Sequence, residues 1–228
     1  MKKKALIVVT SVEKYPEMDR ATGLWLGEAV HFYEKLHEKG YEIDFVSPRG
    51  GYTPLDPVSL QMFVQPADWK YYADETFRNK LADTLKPSDV NAENYSVIYY
   101  SGGHGVVWDF PENTELQEIA RKIYENGGII SSVCHGAVGL FNIKLSGGEL
   151  LIKGKTLTGF SNSEEIAAEL ADHMPYLTED VLKSRGAHYV KADQDFVSFA
   201  VSDGRLVTGQ NPQSGGAVGE KVLEILEK

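Results

Sequence analysis

Cys134 is the only cysteine of the chain, it is followed at once by His135, and the pair Glu164-Glu165 lies further downstream. A sulfur nucleophile needs a proton acceptor and a group that orients the acceptor, and histidine and a carboxylate are the residue kinds that serve. Glu28, far upstream, sits one turn from both Leu24 and Phe32 at the border of an apolar stripe. A partly buried carboxyl there would have a raised pKa and could stay protonated, able to hydrogen-bond a nearby sulfur. The run Ser101-Gly102-Gly103-His104-Gly105 directly follows an apolar stretch. Glycines after a strand let backbone N–H groups approach a ligand closely, which suits an oxyanion-stabilising turn. Each residue also has a plain structural role. A lone cysteine packs as a small apolar group, Glu28 serves as an ordinary edge glutamate, His135 bonds at a helix start, the glutamates stabilise a first helical turn, and the glycines form a tight turn.

The elements around these residues decide where they meet. Gly127-Gly128 opens a short apolar and small-residue run that reads as a strand covered on both faces and breaks at Cys134 into a helix. A residue at such a corner is pushed out at the carboxyl edge of the sheet, where open α/β folds bind ligands. The amide groups of the following helix would favour the thiolate. Strands are expected at 4–10, 42–47 and 95–100, and helices at 23–39 and 112–126. On the first helix Leu24, Trp25, Ala29, Phe32, Tyr33 and Leu36 form the inward stripe. This alternation predicts a mostly parallel central sheet with helices on both faces. Between Pro48 and Asn94 the pattern loosens, with Pro54, Pro57, Pro66 and Pro87 among aromatics. Short helices forming an inserted subdomain over about 49–93 are expected there, covering the site or making a dimer contact. Beyond the elbow, strands are expected at 156–160, 187–192, 196–202 and 206–208, with helices at 174–184 and 215–228. Ser161 to Glu165 reads as a capped helix entry, and Asp203-Gly204 as a hairpin turn.

With 228 residues and 42% hydrophobic content the chain can bury one full core, so a single domain is the default. A net charge of −10 argues against a nucleic-acid partner. The Lys2-Lys3-Lys4 run precedes too short an apolar stretch for a signal peptide, and no segment has transmembrane length. One cysteine that cannot pair within its own chain points to a reducing cytoplasm. Neither a P-loop nor a dinucleotide fingerprint is present, and the scattered histidines offer no two-histidine-plus-carboxylate spacing that marks a metal site.

Five segments in order, Gly27-Glu28-Ala29, Ser101 to Gly105, Ser132-Val133-Cys134-His135-Gly136, Thr158 to Glu165 and Asp203 to Pro212, resemble the ThiJ/PfpI superfamily in its heat-shock chaperone and glyoxalase III branch. The resemblance spans nearly the whole chain. It implies a flavodoxin-like three-layer sandwich, commonly a homodimer, with Cys134 as nucleophile on a strained elbow, His135 as base and Glu28 as the protonated carboxyl beside the sulfur. Glu165 would be the third member of the triad, with Glu164 the alternative. Gly103 and the amide of His135 would be oxyanion donors, with His104 beside them in the substrate-binding turn. The implied activity is conversion of methylglyoxal, a small aldehyde, to lactate without glutathione, metal or other cofactor, with deglycation of proteins as a related activity. A cysteine amidase or peptidase using Cys134, His135 and Glu165, and a holding chaperone relying on apolar surface around residues 50–90, are the alternatives.

Overall fold

A computed structural model describes residues 3–228; Met1 and Lys2, the latter part of the lysine run noted above, lie outside the described residues. Five short segments rich in apolar and small residues make the parallel part of the central sheet: β1 (Lys4–Val8), β2 (Glu42–Val46), β3 (Val97–Tyr100), β4 (Ile129–Val133) and, near the C-terminus, Leu206–Gly209. Residues 97–100, 129–133 and 206–209 are buried on both faces, as strands covered by helices on both sides must be. The order across the sheet is β2-β1-β3-β4, then Leu206–Gly209, then Ala200–Asp203 paired antiparallel at the edge. The carboxyl ends of β3 and β4 lie side by side in register, Tyr100 opposite Ser132. The turns leaving these two strands, 101–105 and 134–136, therefore meet at one sheet edge.

One face of the sheet packs on α1 (Leu26–Glu38) and on the C-terminal helix Gly215–Leu226; residues such as Ile7, Phe32, Tyr99, Val133 and Val222 form that core. The other face, with Leu6, Ile98, Ile130 and Leu206, packs on Thr114–Glu125 and on the segment after Cys134. The expected three-layer α/β architecture is what is found. Phe32 of α1 stacks on Tyr99 of β3 with ring centroids 3.8 Å apart, and the Tyr99 hydroxyl donates to the backbone carbonyl of Glu28 at 2.8 Å. This pins α1, and with it Glu28, to the strand that leads into the glycine turn.

Several boundaries differ from the sequence reading, each for a local reason. The first helix begins at Leu26 rather than 23, because Gly23 has φ +156° and Leu24 bonds to the carbonyl of Pro54 in extended form. Trp25 accordingly leaves the inward stripe and meets Phe63, ring centroids 5.0 Å apart. The segment after Cys134 is a buried 3-10 helix, Cys134–Leu140, not an α-helix. Residues 156–160 and 187–192 shrink to the pair Thr156–Leu157 and His188–Tyr189, which forms a separate two-stranded sheet. The helix expected over 174–184 is Thr178–Ser184, preceded by a 3-10 turn at Ala171–His173. No strand begins at Phe196, which has φ +57°; the edge strand starts at Ala200. The segment between β2 and β3 carries the short helices α2 (Pro57–Met62) and α3 (Pro66–Ala73), each opened by a proline, and α4 (Glu75–Ala82), capped by Asp74.

Candidate active site

Cys134 stands directly after β4 with φ +55°, a left-handed backbone that non-glycine residues rarely adopt and that costs roughly 1–3 kcal/mol. The fold holds it there from two sides. The Cys134 carbonyl accepts from the amide of Phe160 at 3.2 Å. Gly136 lets the elbow press against β3: a Cβ there would lie 2.1 Å from the carbonyl oxygen of Tyr100. The sulfur is almost fully buried at 3% exposure, yet it lines a cavity of about 500 Å³ that opens to solvent. His104, His135, Gly103 and Phe160 line the same cavity.

Glu28 is completely buried, not at the edge of a solvated face. Its Oε2 accepts from the amide of Gly102 at 2.7 Å, its carboxyl interacts with the Cys134 thiol, and its Oε1 is buried without a hydrogen-bond partner. Burial pushes the Glu28 carboxyl up to about 8, more than its bonds to the sulfur and to the Gly102 amide pull it down. It is therefore neutral at pH 7 and can donate. Burial also pushes the Cys134 thiol up, with the nearby Glu28 adding to the rise and the amide of His135 opposing it. Burial therefore works against the thiolate expected at the elbow and favours the thiol. A short buried 3-10 segment supplies too little positive potential to offset desolvation.

Divergence of adjacent side chains at the turn does not separate Cys134 from His135. Nδ1 of His135 lies 3.4 Å from the sulfur, and Nε2 of the same ring lies 2.6 Å from Oε2 of Glu165. Burial lowers the His135 pKa against the opposing charge of Glu165, so the ring is neutral. With Nε2–H donated to the carboxylate, Nδ1 is the free acceptor, and it faces the thiol. Burial of Glu165 works against ionisation, but the two histidines outweigh it and hold this carboxyl below the usual range.

The choice between the two glutamates follows from the local helix start. Ser161 caps Asn162–Ala167 and forms a capping box with Glu164, whose side chain turns back to the Ser161 amide and hydroxyl. Its other oxygen accepts from Asn211 Nδ2 at 2.8 Å and from the amide of Phe196 at 2.9 Å. Glu164 is consumed by structure. The next residue, about 100° further round the helix, is aimed at the imidazoles.

His104, which lines the cavity with Gly103 and Cys134, also reaches the carboxylate. Its Nε2 lies 2.8 Å from Oε1 of Glu165, so the carboxylate is shared between two rings whose centroids are 4.2 Å apart. The ligand-type atoms of His104, His135 and Glu165 all lie within 4.8 Å of one another. The two-histidine-plus-carboxylate set not seen along the chain therefore exists in space, assembled from three separate turns. The three groups are already bonded to one another. Sequence reading also missed Phe160, whose ring packs on His135 at 4.3 Å, and Phe196 and Phe63 at the rim of the cavity. Only the positive φ of Phe196 distinguishes it, and backbone strain is invisible in one sequence.

Among the described residues no helix is long and apolar enough to cross a membrane. Compared with known proteins, the chain is 34% identical to Glyoxalase 3 of Candida albicans, with 98% of each chain covered. It is also 34% identical to the glutathione-independent glyoxalase HSP31 of Saccharomyces cerevisiae, over 99% of this chain and 98% of that one. Among solved structures it is similar to the Rapid Encystment Protein of Francisella tularensis, with TM-score 0.94, 37% identity and 99% of both chains covered. The crystal structure of glyoxalase III from Candida albicans superposes with TM-score 0.89 at 34% identity, covering 97% of this chain and 96% of that one. The DJ-1/PfpI family profile matches residues 21–225, and with the elbow, the glycine turn and the buried glutamate in one cavity, the chain belongs to the DJ-1/PfpI family.

Proposed function

We propose that the protein is a glutathione-independent glyoxalase that converts methylglyoxal to lactate at Cys134. The observation that carries this reading is the relay from the Cys134 sulfur to Nδ1 of His135 at 3.4 Å, and from Nε2 to Glu165 at 2.6 Å, opening on one cavity. The names of the relatives support it.

In the proposed mechanism the sulfur adds to the aldehyde carbon as the thiol proton passes to Nδ1 of His135 and then to the new alkoxide, giving a hemithioacetal. The backbone amides of Gly103 and His135 stabilise the developing oxyanion. Neutral His135 removes the proton from the sulfur-bearing carbon to give an enediol and returns it to the neighbouring carbon. That carbon is reduced from ketone to alcohol while the other reaches the oxidation level of an acid, as a thioester. Water cleaves the thioester, releasing lactate and the thiol. Glu165 holds the tautomer that makes Nδ1 the acceptor, His104 positions Glu165, and neutral Glu28 donates beside the sulfur. No outside oxidant, reductant or thiol enters the balance.

The test is product analysis after incubation with methylglyoxal and no glutathione. Lactate formed by the wild type and lost in Cys134→Ala supports the reading. An inactive wild type, or undiminished lactate from Cys134→Ala, overturns it. Exposed Tyr52, Met62, Phe63 and Trp69 of the inserted segment support a second reading, a holding chaperone or a homodimer contact on that face. Aggregation suppression and sedimentation measure these separately from turnover. A lone cysteine suits a reducing compartment such as the cytoplasm.

A further inference from the structure

Phe196 is a bulky aromatic held at φ +57°, where such a side chain is a genuine outlier. Strain of this kind persists only where the surroundings impose it, and it clusters at ligand sites. Here the imposing group is buried Glu164, which accepts the Phe196 amide at 2.9 Å and is the immediate neighbour of Glu165. Ser163, from the same turn, donates to Asp195 at 2.6 Å. The helix start that aims Glu165 at the histidines therefore also fixes the Phe196 ring at the cavity. That ring lies 6.2 Å from Phe160, which packs on His135, and it is 40% exposed. Phe63, 46% exposed, and Trp25 line the same cavity.

The cavity of about 500 Å³ falls within the roughly 300–1,000 Å³ that accommodates a drug-sized ligand. Methylglyoxal, with one methyl beside its reacting carbonyls, leaves most of it unfilled. We propose that Phe196 is a specificity-determining residue and that the preferred substrates are 2-oxoaldehydes carrying an aryl substituent, with the aryl ring seated between Phe196 and Phe63 while the aldehyde meets Cys134. The bond changes are those written for methylglyoxal, with one water consumed and an aryl 2-hydroxy acid released. This inference rests on the glyoxalase reading and deepens it.

The experiment compares kcat/KM for phenylglyoxal and methylglyoxal in the wild type, Phe196→Gly and Phe196→Tyr. The expected wild-type ratio favours phenylglyoxal by roughly tenfold or more, the scale on which an apolar pocket discriminates added apolar groups. Glycine accepts a positive φ without strain, so Phe196→Gly folds, and melting measurements verify this. It should lower the ratio roughly tenfold, through the KM for phenylglyoxal, while Phe196→Tyr keeps it. Mandelate, the aryl product, should inhibit methylglyoxal turnover at lower concentration than lactate, and Phe196→Gly should erase that difference. A wild-type ratio at or below one, or an unchanged ratio in Phe196→Gly, overturns the role of Phe196 while the glyoxalase reading stands. Failure to turn over either aldehyde overturns both.

Discussion

The carboxylate of Glu165 meets Nε2 of His135 at 2.6 Å from a helix start that follows a different strand, and this contact leaves Nδ1, on the side of the sulfur, as the free acceptor of the ring. In the proposed mechanism this makes the histidine beside the cysteine an oriented base. The second carboxylate oxygen is held by His104 at 2.8 Å, so Glu165 is fixed from two sides.

Replacing Glu165 by Gln leaves the shape and removes the charge. The expected loss in kcat is about 10²–10⁴-fold, the scale of general-base catalysis with the wrong tautomer. Glu164→Gln should instead appear mainly in thermal unfolding. It weakens a buried set of bonds to Ser161, Asn211 and Phe196, a loss of roughly 1–3 kcal/mol. Steady-state kinetics and melting curves on the two variants separate these roles.

Glu28 should shape the alkaline limb of the pH profile. It is neutral below about 8, so the proton it could donate beside the sulfur is lost as the pH rises through that value, and kcat/KM should fall there. Glu28→Gln keeps a neutral donor and should remove that limb. Stability follows the same sign. The folded state holds a proton that the unfolded chain releases near the ordinary glutamate value. The stabilisation is complete below that value and is lost as the pH rises toward 8, by a few kcal/mol in order of magnitude. The melting temperature of Glu28→Gln should therefore gain on the wild type between pH 5 and pH 9. A constant gap would contradict the assignment.

Cys134 should alkylate slowly for a proposed nucleophile. Its thiol is pushed up by burial, so iodoacetamide at pH 7 should react more slowly than with an unstructured cysteine. The rate should rise at higher pH than for the free residue. Fast labelling at neutral pH would mean that the sulfur rests as a thiolate.

Two glycines should fail in different ways. A methyl on Gly102 would lie 2.6 Å from Oε2 of Glu28 and 3.1 Å from Cβ of Cys134, so Gly102→Ala should depress kcat by displacing the carboxyl. A methyl on Gly136 would meet the backbone of Tyr100 at 2.1 Å. Gly136→Ala should lower stability by on the order of 1–3 kcal/mol or more, as overpacking does. Activity and melting temperature measured together distinguish the two.

Much of this protein was legible in one dimension. Apolar runs of strand length alternating with helical periodicity determined the parallel three-layer architecture, since a sheet covered on both faces admits few other sequences. The glycines around Cys134 and His104 marked the two turns at one edge, and the family resemblance named Cys134, His135, Glu28 and Glu165. Tertiary structure alone decided how these behave. Glu28 is an edge glutamate by periodicity and fully buried in space, because Tyr99 and Gly102 grip it at both ends. That burial makes it an acid at neutral pH, and burial of Cys134 itself favours the thiol. The sharing of Glu165 between His104 and His135, and the strained aromatic at Phe196, join residues from separate turns. Periodicity reports which way a side chain faces along its own element, but desolvation and charge act through whatever the fold brings near from elsewhere.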